Sequence, residues 1–458
     1  MIKRNYDKIL IGYNYISLIR GISLVQKGKS VLIINDPNSK LSDNWIGNLT
    51  LLDLNYLKSE LKRLGLHQLI SLNKMINPIK TILYFDDILL ELGSSPFINF
   101  LELYRKGIFT NMNRLDRFLE KYDEKSFNKI YSSMIHKLEG LLHHGDLKKF
   151  FTKSSNYEKI FQLDLSFIKD HFYYQYPKTG KDDLQFLFAL QTIYRPFISN
   201  KISYPEYLFL LTQSLSPCYR LDQVEMTSKL LRVFKSFGGE FSSFPITDWE
   251  FVNNNCENVL LNSFDGLVQT DNIEFYSELK ENHPFQYSFN EKILNSLEFY
   301  LTLQHDYLNS LKNSRIIALK KDSLGTDDPF INLEIGDNHL IKFNYTYKLG
   351  QGIIDSFYTI KGKEQLWNIL NRIFPGIDHH VQVEVLGHIK SSQIWREMLY
   401  SKQSFFKHST LIHQKQKIKR ECGLVLKNNQ KVLNNVIYRG GLSFGHLGLG
   451  DYFARVTS

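Results

Sequence analysis

Residues Tyr6 to Asp36, YDKILIGYNYISLIRGISLVQKGKSVLIIND, constrain the fold of this chain more than any other stretch. Lys8 to Ile11 is a short, largely apolar run that stops at Gly12. Leu18, Ile22 and Val25 then recur at helical spacing, and Gly28 stands where a helix usually ends. Val31 to Ile34 is a second apolar run, closed by Asn35 and Asp36. Strand, tight turn, helix and strand in that order predict a βαβ unit.

Such a unit is the outline of a dinucleotide-binding site, whose fingerprint reads G-x-G-x-x-G. The first glycine allows the tight turn, the second lets the backbone approach a pyrophosphate, and the third lets helix and strand pack closely. Here the three positions are Gly12, Asn14 and Ser17. Asn14 brings a side chain to where a phosphate would come, although asparagine tolerates left-handed backbone angles better than most residues. Ser17 is small enough to keep the packing role. The acid expected to hold a ribose hydroxyl falls on Asn35, with Asp36 one place late. Asparagine can hydrogen-bond a ribose but offers no charge-assisted bond.

The chain has 458 residues, 43% of them hydrophobic, enough for two or three domains or one large interleaved one. Its net charge of +9 reads first as a solvated surface and not as a nucleic-acid interface. The sharpest basic cluster, Lys415, Lys417, Lys419 and Arg420, has no aromatic stacking pattern beside it, which leaves peripheral contact with an anionic membrane as a minor option. Cys218, Cys256 and Cys422 lie far apart, form no metal spacing and suggest a reducing compartment. With no secretory signal and no apolar run long enough to span a bilayer, the expectation is a cytoplasmic protein.

Further along, Leu54 to Leu66 predicts an amphipathic helix, and Thr81 to Leu92 a hairpin turning at Asp86-Asp87. Phe97 to Phe172 reads as a mostly helical insertion; His143 and His144 within it are adjacent, which does not make a metal pair. Met226, Leu230, Val233, Phe234 and Phe237 form an apolar helical face ending at Gly238-Gly239, and a strand through Pro245-Ile246 follows. Glu257 to Asn262 and Leu267 to Phe275 predict two strands joined at Asp265-Gly266. Arg315 to Lys320, Phe330 to Ile335 and His339 to Tyr347 predict a small antiparallel sheet, and Gln365 to Phe374 a helix. The tail from Asn435 to Val456 reads as a strand, a turn rich in glycine (Gly440, Gly441, Gly445, Gly448, Gly450) and a helix. Such a turn can offer backbone N–H groups to an anion or simply let a terminal helix pack.

On these residues the chain resembles the FAD/NAD(P)-binding flavoprotein superfamily: amine oxidases, phytoene-desaturase-like enzymes and the related GDP-dissociation inhibitors of Rab GTPases. The spacing from Gly12 to Asn35, the helix into Gly238-Gly239 with its strand through Ile246, and the strand before Gly440-Gly441 carry the resemblance, over about a third of the chain. It implies an α/β fold in which a Rossmann-like FAD/NAD(P)-binding domain is assembled from discontinuous segments, 1–75, 205–280 and 401–458. Segments 76–204, mostly helical, and 281–400, with the antiparallel sheet, would form an α+β substrate or cap domain. It also implies cofactor contacts at Gly12, Asn14, Ser17, Asn35, Asp36, Ile246, Gly440, Gly441 and Gly448, with FAD as the cofactor. Gly441 stands where the family carries an aspartate. If Asn14, Ser17, Asn35 and Gly441 each cost about 1 kcal/mol, FAD affinity would fall by orders of magnitude.

Two functions of different class follow. One is an FAD-dependent oxidoreductase acting on an amine or an apolar, polyene-type substrate, with the flavin doing the chemistry. No general base stands out; His379 and His380 are candidates by location alone. The other is a non-catalytic binding protein, like the GDP-dissociation inhibitors, that holds a lipid, a prenyl group or a protein partner without flavin.

Overall fold

The structure is a computed structural model that describes residues 4–35, 48–85, 88–106, 123–125, 128–129, 215–252, 255–262, 267–276, 285–287, 294–303, 314–319, 330–335, 340–348, 364, 367–368, 370–386, 422–426 and 432–439. Four helices matter for the site and its support: α1 (Tyr15–Gln26), α2 (Leu51–Arg63), α3 (Pro96–Arg105) and α4 (Gln223–Ser236). The first strands are β1 (Arg4–Tyr6), β2 (Lys8–Ile11), β3 (Val31–Ile34), β4 (Asn48–Thr50), β5 (Ile76–Phe85) and β6 (Ile88–Leu92). Then come β7 (Cys218–Leu221), β8 (Glu240–Ser242), β9 (Ile246–Val252), β10 (Asn255–Leu261), β11 (Leu267–Thr270), β12 (Ile273–Phe275) and β13 (Phe285–Tyr287). The last are β14 (Leu294–Leu303), β15 (Ser314–Leu319), β16 (Phe330–Ile335), β17 (Leu340–Lys348), β18 (Val381–Leu386), β19 (Cys422–Leu426) and β20 (Val432–Tyr438).

The predicted βαβ unit is present as β2, α1 and β3. Its strands sit inside a seven-stranded sheet of order β13-β19-β20-β12-β2-β3-β8. The five strands from β20 to β8 are all parallel. Taken in chain order they are arranged 3-2-1-4-5, the doubly wound order, with the crossover reversing between β2 and β12. Parallel strands covered on both faces read as continuous apolar runs, and Val31 to Ile34 is buried throughout.

The two faces have different neighbours. Ile9, Ile11, Leu32, Ile34, Ile273 and Phe275 point to one side, where they form a core with Ile246, Cys256, Val259 and Val268 of a four-stranded sheet, β1-β11-β10-β9. On the other side Ile33 meets α1, against which α4 packs. A Cβ at Gly21 of α1 would lie 2.9 Å from the Phe234 ring and 3.1 Å from Ile33, so the helices approach as closely as they do because position 21 has no side chain. Phe234, fully buried, also accounts for the glycine at 239, where a Cβ would run into its ring, while Gly238 adopts a φ of 90°. Met226 and Leu230 are buried on the same face of α4, while Phe237, predicted to share it, is 46% exposed.

Leu267 to Phe275, read from sequence as one strand, is two. Leu267–Thr270 pairs in the four-stranded sheet and Ile273–Phe275 lies between β2 and β20 in the other. The break falls at Asp271-Asn272, where the Thr270 hydroxyl donates to the Asn272 carbonyl and accepts from its N–H. A polar turn of this kind lets the chain leave one sheet for the next. Asn435 of β20 ties the two sheets again: its carboxamide accepts from Cys256 N–H and donates to the carbonyls of Cys256 and Asp271.

The expected small antiparallel sheet is larger and mixed. It has nine strands, eight of them in the order β18-β14-β17-β16-β15-β5-β7-β4 and β6 beside β5, and β5 pairs with β15 in parallel. Segment 1–75 contributes β4 to this sheet and segment 205–280 contributes β7. The turn at Asp86-Asp87, the helical insertion beyond residue 106 with His143 and His144 (save residues 123–125 and 128–129), the basic cluster at 415–420 and the glycine-rich tail lie outside the described residues. No helix among the described residues is long and apolar enough to cross a membrane.

Candidate functional site

In a doubly wound sheet a ligand meets the carboxyl ends of the strands at the point where the order reverses. Here that edge is formed by Gly12 after β2, Asn35 after β3, Ser242 at the end of β8, Tyr276 after β12 and Arg439 after β20. Backbone hydrogen bonds stitch it together: Gly12 N–H donates to Ile34, Asn35 N–H to Ser242, Tyr276 N–H to Ile11 and Arg439 N–H to Phe275. Gly12 has φ of 115°, a conformation open to glycine and strained for other residues, so the tight turn of the fingerprint is intact.

The next two fingerprint positions are built differently. Asn14 is the N-cap of α1 and is extended, with φ −149° and ψ 170°, so no left-handed backbone is called for there. Its side-chain oxygen accepts from Ser17 N–H at 2.9 Å, while Ser17 Oγ accepts from Asn14 N–H at 3.2 Å. This is a reciprocal capping box. The Asn14 Nδ2 then donates to the Tyr276 carbonyl at 3.2 Å, which fastens the helix start to β12 across the switch point. Asn14 is 5% exposed and Ser17 fully buried.

Beneath this clasp lies a buried ion cluster. Glu274 of β12, 1% exposed, receives Arg20 of α1 through two hydrogen bonds, Lys8 of β2, and the Tyr276 hydroxyl at 2.7 Å. Burial pushes its carboxyl up, but Arg20, the Tyr276 hydroxyl and Lys8 together outweigh burial and hold it below its ordinary value. Tyr276 therefore serves both levels, its carbonyl above and its hydroxyl below. On the other side of the turn, the Tyr13 ring meets Phe241 of β8 at 5.0 Å, reaching past β3 to do so. Burial raises the Tyr13 hydroxyl above its ordinary value.

Of the residues singled out from sequence, Gly12, Asn14, Ser17 and Asn35 are brought together at this edge. Ile246 begins β9, with its side chain in the core between the two sheets. Asp36, Gly440, Gly441 and Gly448 lie outside the described residues. His379 is exposed in a 3-10 turn, Ile377–His380. Cys256 is buried, and that burial, with Glu250 nearby, pushes its thiol up to about 12, which makes it a poor nucleophile. No group of residues that could hold a metal occurs among the described residues. Glu274, Arg20 and Tyr276 were not foreseen. The signal was there: Glu274 is an acid inside the apolar run Ile273–Phe275, and Arg20 interrupts the apolar surface of α1.

An FAD pyrophosphate at this edge would need N–H groups of the Gly12 turn and of the first turn of α1. Two of those groups, on Asn14 and Ser17, are already donated within the capping box, and the Asn14 carboxamide is turned inward, to Ser17 and the Tyr276 carbonyl. Gly12 fits the cofactor; Asn14 and Ser17 do not fit a tightly held one.

The strand order assigns the class: an α/β protein with a doubly wound parallel sheet, a four-stranded sheet packed on one of its faces and a larger, mostly antiparallel sheet. No protein-family model matches the sequence, and no curated protein does. Among solved structures, the chain is similar to a Rab GDI of Plasmodium falciparum, at 12% identity and a TM-score of 0.49, over 84% of this chain and 88% of that one. It is similar to an FAD-dependent myxobacterial chondrochloren halogenase, at 8% identity and a TM-score of 0.43, over 98% and 73% of the two chains. A geranylgeranyl bacteriochlorophyll reductase-like protein of Thermoplasma acidophilum gives 10% identity and a TM-score of 0.41, over 99% and 78%. The fold assignment rests on the strand order alone.

Proposed function

We propose that this chain uses a flavoprotein-type architecture as a binding protein and holds no resident FAD. The observation that carries the reading is the closed start of α1, where Asn14 and Ser17 satisfy each other and Asn14 is tied to Tyr276. A glycine-lined turn leaves its N–H groups for a ligand; this one uses two of them, on Asn14 and Ser17, internally. The ligand is then a matter for the second sheet and its excursions. An apolar small molecule, a lipid or prenyl group, or an apolar protein surface suits a chain with 33 Phe and 26 Tyr. The cytoplasm is the compartment this reading assigns, in keeping with the two buried free thiols, Cys218 and Cys256.

The second reading, an FAD-dependent, amine-oxidase-like oxidoreductase, is favoured by Gly12, whose left-handed turn at the switch point is the part of the fingerprint that survives. The absorption spectrum of freshly purified protein separates the two, with release and mass-spectrometric identification of any bound small molecule. The binding reading expects a colourless protein and an apolar compound or none. Flavin bands with stoichiometric FAD would overturn it and make Asn14 and Ser17 tolerated variants within a flavoenzyme.

A further inference from the structure

We infer that Asn14 is the residue that closes this crevice to dinucleotides, its carboxamide standing in for the ligand. The inference rests on the binding reading above and assigns its cause to one side chain. Asn14 does two jobs at once. Its oxygen accepts from the Ser17 N–H, as a phosphate oxygen would at a helix start, and its Nδ2 donates to the Tyr276 carbonyl on the neighbouring strand. Asn14 is 5% exposed, so both bonds are shielded from water.

The residue type is specific to this double role. Aspartate could accept from Ser17 but would place a charge facing the Tyr276 carbonyl with nothing to donate. Serine could cap the helix but is too short to reach β12. Glycine would remove the carboxamide, release the Ser17 N–H and leave bare backbone facing the Gly12 turn. The extended backbone at position 14 is open to glycine, and exchanging an N-cap asparagine for glycine costs helices only a few tenths of a kcal/mol.

The test is a titration of the full-length wild type, Asn14→Gly, Asn14→Asp and Asn14→Ser with FAD, read by flavin fluorescence and by melting temperature. The expected result is weak or no binding by the wild type and Asn14→Asp, and affinity at least about ten-fold higher in Asn14→Gly. Asn14→Ser, which keeps a cap but not the tie to Tyr276, should fall between them and serves as the decisive variant if Asn14→Gly fails to fold. Folded Asn14→Gly or Asn14→Ser that binds FAD no better than the wild type overturns the inference and leaves the binding reading standing. Tight FAD binding by the wild type overturns both.

Discussion

Helix α1 is held in two ways along its length. Its middle is a packing device: Gly21 admits the Phe234 ring, and Arg20 reaches the buried Glu274 on β12. Its start is a clasp made of its own residues, Asn14, Ser17 and the Tyr276 carbonyl. The middle does what any doubly wound fold requires of its first helix. The start does what an ordinary structural helix does: α2 opens with the same kind of reciprocal cap, Thr50 with Asp53, and Asp222 accepts from Glu225 N–H at the start of α4. The difference between α1's two regions shows how a ligand-binding scaffold can keep its packing while its crevice is filled from within.

The largest effects should come from the residues that meet the middle of α1, Phe234 of α4 and Glu274 of β12. Phe234→Ala removes a fully buried ring and should destabilise the protein by about 3–5 kcal/mol in denaturant unfolding. Glu274→Gln removes the buried carboxylate that Arg20 and Lys8 share, an effect of about 3–5 kcal/mol at neutral pH. It carries a pH signature as well. Because the folded carboxyl sits below its ordinary value of 4.5, its stabilisation is complete above that value and is lost as pH falls through the lower folded one. The acid limb of the wild-type stability curve should therefore be steeper than that of Glu274→Gln, and parallel limbs would remove Glu274 from the account.

Gly239→Ala comes next, at about 1–3 kcal/mol, since the added Cβ meets the immobile Phe234 ring. The smallest change belongs to the start of the helix. Asn14→Ala should cost about 0.5–2 kcal/mol, as N-cap removals do. An Asn14→Ala loss larger than that of Phe234→Ala would erase the distinction between a packing middle and a capped start.

Much of this was legible in the chain. The runs Lys8 to Ile11 and Val31 to Ile34, with a 3.6-residue apolar period between them, carry the βαβ unit, because strands buried on both faces and an amphipathic helix leave plain patterns. The substitution of Asn14 for glycine was visible too, but its consequence was not. A side chain that could have pointed outward to a ribose or phosphate turns inward to a carbonyl on β12, 262 residues away in sequence. Pairing between such distant segments leaves no local trace. The same holds for Leu267 to Phe275, whose apolar pattern runs on while the chain changes sheets at Asp271-Asn272. Phe237 was misjudged because helical spacing continues past the end of α4, where the chain already turns at Gly238.

The most direct measurement is hydrogen exchange, by mass spectrometry, on peptides spanning Gly12 to Leu18 in the wild-type protein with and without excess FAD. A closed start of α1 predicts protected amides at Asn14 and Ser17 in the free protein and no change when FAD is added. Fast exchange in the free protein that slows sharply with FAD would show an open anion site and contradict the account.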